Sequence, residues 1–289
     1  MVDAGLSDVT STSIDAAVEA DANAGFEAGV LTGVAYVRVA HVSASDAPVD
    51  ACLSAAGGDF SKSQPLLAAR STAGVSYGAV TAYQAVASGA GTLRFVAPGA
   101  IDCLQPLSAH ADSPFMLASQ SYSTIVVAGF AVDAGVTPLD ATIFADDGID
   151  SAIGDGGNAS SLRIVHEAPR IGALDVGSGS LRDGDYQAMF PLVPYGGTSP
   201  ASATIDANGY LFPATISGTR LSAHLDGQMQ DVAIWENLNV DVSQLATFFI
   251  VAGTSVADGG GPTVRGLFCA RDYAQPAHGV INPTCAILP

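Results

Sequence analysis

The chain has 289 residues and carries 28 acidic side chains against 10 basic ones, a formal net charge of −18 at pH 7. That length suits one large or two ordinary domains with a substantial core. The acidity argues against nucleic acid as a partner and against adsorption to anionic lipid, because both surfaces repel a negative protein. Of the acids, 24 are Asp and four are Glu, Lys62 is the single lysine, and there are 32 Gly and 15 Pro. Such a composition favours strands and tight turns over helices. No apolar run reaches the roughly 18 to 20 residues of a spanning helix; the longest, at 125–132 and 245–253, have strand lengths.

In chain order, residues 1–32 are rich in Ala, Asp, Ser, Thr and Gly, with six acids and no base in the first 30, and read as a flexible acidic tether. A short helix over 14–23 is the alternative. Met1 is followed by no basic or apolar leader, which fits a cytosolic chain or a mature exported one equally well, and a lipid anchor on a native N-terminus stays open. From Val34 onward, short runs rich in Val, Ile, Tyr, Phe and Thr are broken every eight to twelve residues by Gly, Pro, Asn or Asp, the pattern of an all-β sandwich or barrel. Expected strands include 35–41, 49–54, 91–97, 122–130 and 141–145. In the first, alternation sends Val37, Val39 and His41 to one face and Arg38 and Ala40 to the other, without saying which face is inward.

An internal repeat sets the expected domain count. Val37-Arg38-Val39-Ala40-His41 returns as Leu162-Arg163-Ile164-Val165-His166, and each histidine precedes an aspartate, Asp50 or Asp175, by nine residues. Ser76-Tyr77-Gly78 is echoed by Pro194-Tyr195-Gly196. Thr124-Ile125-Val126-Val127-Ala128-Gly129 is echoed by Thr247-Phe248-Phe249-Ile250-Val251-Ala252-Gly253, and Phe144-Ala145-Asp146-Asp147 by Phe268-Cys269-Ala270-Arg271-Asp272. Five landmarks in one order predict two homologous domains, 33–150 and 159–289, joined by the turn-forming stretch 150–158.

The run Arg38-Val-Ala-His41 through Asp46-Ala-Pro48-Val-Asp50, followed by Tyr77-Gly78 and Tyr83, resembles the bacterial domain of unknown function 4397. The likeness is strong over 36–147 and weaker over 160–272, where Glu167-Ala168-Pro169 stands in place of the usual turn. It implies tandem β-sandwiches of exported or cell-envelope proteins, without an established activity. The expected fold is therefore all-β, with two tandem Ig-like or transthyretin-like sandwiches.

Four cysteines, Cys52, Cys103, Cys269 and Cys285, contain no C-x-x-C pair, so neither a thioredoxin-like motif nor a zinc site is indicated. Three pairings exist. Cys52 with Cys103 and Cys269 with Cys285 keeps both bridges inside one domain and implies an oxidising compartment, whereas four buried thiols would fit the cytosol.

For chemistry, His41 and His166 with Asp50 and Asp175 read either as metal ligands and general bases or as a structural signature, a strand-end histidine bonding the turn that follows. The structural reading is preferred. Gly74-Val75-Ser76-Tyr77-Gly78 matches the nucleophile-elbow pattern, but no helix is expected after it. Asp146, Asp147, Asp150 and Asp155 cluster oxygen ligands at the domain junction, where Ca²⁺ is the cofactor they would take, although the same residues also simply make turns. Trp235 reads as core or interface. Asn158-Ala159-Ser160 is a sequon that a bacterial chain would leave unmodified.

The function these residues point to is an extracytoplasmic envelope or surface module that binds a protein or glycan partner, or itself, through adhesion, scaffolding or strand-edge assembly. The alternative is a secreted hydrolase or metal-dependent enzyme with its site between the repeats.

Overall fold

The fold is given by a computed structural model that describes residues 33–43, 47–68, 72–107, 112–129, 140–146, 160–212, 216–228, 230–240, 245–253, 264–270 and 284–288. The acidic segment 1–32, the stretch 150–158 and, of the sequon, Asn158 and Ala159 lie outside these residues. Every regular element described is a strand.

The strands form four stacked sheets. The outermost sheet of the first half holds β2 (Asp50–Ala55), β4 (Gly89–Val96) and β5 (Ser113–Leu117). Its partner sheet has the order β3 (Gln84–Ala87), β1 (Val34–His41), β6 (Tyr122–Ala128), β7 (Asp140–Ala145). The third sheet contains β11 (Gly197–Thr198), β8 (Ser161–Glu167), β15 (Leu245–Ala252), β16 (Val264–Ala270) and β17 (Thr284–Leu288), with β12 (Tyr210–Leu211) also paired to β8. The fourth has the order β10 (Gln187–Val193), β9 (Leu174–Ser178), β13 (Ile216–Leu225), β14 (Asp231–Val240). Together they make two β-sandwiches that meet through their inner sheets.

Strand boundaries follow the Val-, Ile- and Phe-rich runs within one or two residues of those expected from sequence. The expectation 122–130 ends two residues earlier, at Ala128, because Gly129 takes a left-handed φ of 83°. Most pairings are antiparallel, but β1 runs parallel to β6 and β8 runs parallel to β15. In parallel sheets both faces are usually covered, and the strands read as continuous apolar runs. The two longest apolar runs of the sequence supply β6 and β15, and β8 and β15 are buried at every position.

Three cores separate the four sheets. Val37, Val39, Ile125 and Val127 meet Ala51, Leu53, Leu93 and Phe95 in the first sandwich. Ile164, Phe248 and Ile250 meet Val176, Phe190, Leu221 and the buried Trp235 in the second. Between the sandwiches lies a third core, in which Ala40, Val42, Val126 and Ala128 pack on Val165, Phe249, Val251, Leu267 and Cys269. The alternation along β1 thus has no solvent face: one side enters its own sandwich and the other enters the interlayer.

Both expected bridges are present. Cys52 is joined to Cys103 across 51 residues and Cys269 to Cys285 across 16, and no described cysteine is free. Cys269 and Cys285 are direct register partners on β16 and β17, so the second bridge ties an edge strand to its neighbour.

Candidate functional site

The two histidines end equivalent strands and are built alike. His41 Nε2 lies 2.9 Å from the carbonyl of Ala47, and His166 Nε2 lies 3.1 Å from that of Gly172, six residues onward in both cases. The carbonyl of each histidine accepts the N–H of a left-handed glycine at 2.8 Å, Gly78 or Gly196, and the preceding tyrosine, Tyr77 or Tyr195, stands edge-on to the ring. The aspartates are equally matched: Asp50 accepts the N–H of Leu67 and Asp175 that of Leu192, each 17 residues ahead. Each ring thus reaches the turn after its strand through a backbone carbonyl, while each aspartate accepts a backbone N–H. Both rings are fully buried, and by strand alternation they point into different sandwich cores. Burial lowers the His166 pKa, partly opposed by its backbone bonds to Gly172 and Ile171. Burial raises that of Asp50, against its bonds from Ala51 and Leu67.

The strongest polar cluster lies between the sandwiches. On β1, Arg38 sits opposite Thr124 of β6; on β8, Arg163 sits opposite Thr247 of β15 in the same parallel register. Arg38 Nε donates to Thr124 Oγ1 at 2.7 Å, and the hydroxyls of Thr124 and Tyr83 donate to Asp146 Oδ2 at 2.6 and 2.8 Å. From the other half, the Arg163 guanidinium donates to Asp146 Oδ1 at 2.6 Å and to the Ala145 carbonyl at 3.0 Å. Each guanidinium also lies over a tyrosine, Arg38 over Tyr83 and Arg163 over Tyr210, 4.9 and 4.6 Å from the ring centroids. Arg38, Arg163 and Asp146 are all 1 % exposed or less.

Burial pushes the Asp146 pKa upward, but the charges of Arg38 and Arg163 and the bonds from Thr124 and Arg163 outweigh it and hold the group below the usual carboxylate range. A carboxylate with both oxygens engaged and no solvent contact is a clamp, not a general base. Of the four aspartates considered for calcium, Asp146 is committed in this way, and Asp147, Asp150 and Asp155 lie outside the described residues. Among the described residues, no group of three or more His, Cys, Asp or Glu side chains is placed to hold a metal.

Sequence reasoning did not single out Arg38, Arg163, Thr124 or Thr247 for this role. The signal was present, since all four stand inside the repeated landmarks, but alternation alone does not say whether the arginine face is inward or outward.

Ser76 of the G-x-S-x-G pattern is exposed in a turn, and no helix follows. A groove of about 320 Å³ beside it is lined by Leu67, Val75, Ala79, Thr81 and Gln84 among others, with no ionisable side chain.

The geometry defines an all-β protein of two sandwiches, fastened by a buried arginine–aspartate cluster and one disulfide in each half. Residues 35–177 match the domain of unknown function DUF4397, and over that segment the chain belongs to this family. No curated protein matches it. Among solved structures, it is similar to a "putative cell adhesion protein" of Bacteroides fragilis, with 9 % identity, a TM-score of 0.19, and coverage of 83 % of this chain and 98 % of that one. A second "putative cell adhesion protein", from Bacteroides eggerthii, gives 12 % identity, a TM-score of 0.17, and 89 % and 95 % coverage. Both likenesses are too slight to transfer a role. No helix among the described residues is long and apolar enough to cross a membrane.

Proposed function

We propose that this is an exported cell-envelope or surface protein that works as a binding or adhesion module without catalysis. The observation that carries the reading is the pair of disulfides, one in each sandwich. Disulfides persist in oxidising compartments and are rare where glutathione keeps thiols reduced. The enzymatic alternative relied on His41 and His166, whose rings are buried and bonded to backbone carbonyls in their own halves. The proposed architecture is a tandem of one domain, 33–150 and 159–289, supported by the matched intervals from histidine to carbonyl and from aspartate to N–H.

Thiol labelling tests the compartment. Native-source protein, denatured without reductant, is expected to take up no label and to fractionate with envelope or medium. Four reactive thiols, or a cytosolic pool, would reject the proposal.

A further inference from the structure

The two halves differ beside β3 and β12. Gln84 of β3 pairs with Val37, and Leu211 of β12 pairs with Leu162, the counterpart of Val37 in the repeat. Tyr83, Gln84 and Ala85 therefore correspond to Tyr210, Leu211 and Phe212, and each tyrosine lies under the arginine of its own half. Likewise Val80, opposite Ala40, corresponds to Thr198, opposite Val165. Between these landmarks the second half holds residues 199–209, and the first half only Thr81 and Ala82.

The added segment plugs its own sandwich. Residues 204–206 run antiparallel to 210–212: the Asp206 N–H donates to the Tyr210 carbonyl at 2.9 Å, and the Phe212 N–H to the Thr204 carbonyl at 3.1 Å. Ile205, opposite Leu211, is 3 % exposed and belongs to the second core. One extended stretch thus gives backbone bonds to an edge strand and an aliphatic side chain to the space between the sheets.

The first half has both receiving surfaces and, among the described residues, no such stretch. The Tyr36 N–H donates to the Ser121 carbonyl at 2.8 Å, on the β6 side, so the Tyr36–Ala85 pair is not hydrogen-bonded across β1 and β3. The N–H and C=O of Ala85 consequently face away from β1, at an exposed edge. Gln84 shares the inward face of its partner Val37, so a side chain paired beyond Gln84 points into the sandwich. There lies the groove of about 320 Å³, lined by the buried Leu67 and Val75 of the first core and by the half-buried Ala82 and Gln84.

We infer that this groove and the outer edge of β3 form a docking site for an extended segment of a partner protein, which joins β3 as an added strand and anchors one aliphatic side chain in the groove. The second half shows the chemistry that fits, since the equivalent place there is taken by Ser202-Ala203-Thr204-Ile205, an uncharged stretch, and no ionisable side chain lines the groove. In such strand addition the main chain supplies affinity and the pocket selects the side chain. The inference rests on the reading of this chain as a binding module but not on its compartment, so peptide binding and thiol labelling can fail independently.

The test is a fluorescently labelled peptide of residues 200–207, Pro200-Ala-Ser-Ala-Thr-Ile-Asp-Ala207, titrated with the full chain and read by anisotropy. Saturable binding is expected, weakened at least about tenfold when the peptide's Ile is replaced by Ala, because a buried branched side chain is lost. Ala85→Pro removes an outward N–H at an edge, where proline is tolerated, and Ala82→Trp fills the groove. Each variant is expected to melt with the wild type and to bind at least about tenfold more weakly. The two act through different groups, so if one fails to fold the other decides. No binding at millimolar peptide, equal binding of the Ile and Ala peptides, or unchanged binding by a folded variant would overturn the site. Self-association of the wild type that Ala82→Trp abolishes would seat a second copy in the groove and overturn it as well.

Discussion

Arg163 of the second sandwich closes its shortest ion pair, at 2.6 Å, not within its own half but with Asp146 of the first. By strand register, Phe144 corresponds to Cys269, since they lie opposite Thr124 and Thr247. Asp146 binds Arg163 at 2.6 Å and lies 3.8 Å from Arg38. One aspartate therefore serves the arginines of both halves, and the halves cannot separate without stranding a buried guanidinium.

Breaking that pair is expected to be costly. Removing one partner of a buried ion pair typically destabilises by about 3 to 5 kcal/mol, because the remaining charge is left uncompensated. Arg163→Ala and Asp146→Ala should each fall in that range by denaturant unfolding. The double variant should cost clearly less than the sum, and strict additivity would show that the pair is not coupled.

The disulfides should contribute unequally. A chain-entropy estimate gives about 4 kcal/mol for a loop of the Cys52–Cys103 size and about 3 kcal/mol for the Cys269–Cys285 loop. Cys52→Ser with Cys103→Ser should therefore lower the denaturation midpoint more than Cys269→Ser with Cys285→Ser. The reverse order would mean that the edge-strand bridge stabilises mainly through the native state.

Acid should unfold the protein in stages. His166 is neutral when folded, with a pKa lowered from 6.5, so the unfolded chain takes up a proton first as pH falls below 6.5. Stability is then lost over the interval down to the folded value. Asp146, also lowered, adds stability that is present above 3.8 and disappears as pH drops through its folded pKa. Histidine NMR titration should place His166 below its free value, and an unshifted resonance would contradict its burial.

Glu167 runs the other way. Its folded pKa near 8 exceeds the ordinary 4.5, so the folded state favours the proton, and stability is lost as pH rises from about 4.5 through 8. Glu167→Val should be more stable than wild type by an amount that grows with pH, reaching a few kcal/mol at pH 9. A difference that is constant from pH 5 to pH 9 would show that Glu167 does not titrate with folding.

Much of this was open to reading in the linear chain. The strand texture, the histidine motifs and the likeness to the family are local or periodic properties, carried by residues within ten positions of one another. The pairing Cys52–Cys103 followed from keeping bridges inside a domain. Arg38 and Arg163 were visible as repeated residues, but their role was not, because alternation tells which side chains share a face and not whether a second sheet covers that face. The apolar runs at 125–132 and 245–253 were the one hint, being too continuous for strands with a wet side. Glu167 was legible only as a departure from the usual turn, and nothing local told of its lack of partners.

By itself, then, the sequence determined that the chain is all-β, that its motifs recur at a spacing of about 120 residues, and that its cysteines sit two to a half. Those properties follow from propensity and order along the backbone. Only the tertiary structure decided that the inner sheets pack face to face, that Arg163 crosses to Asp146, and that Glu167 ends buried without a donor. These outcomes depend on which faces are desolvated together, and burial is a property of the packed layers rather than of any one strand.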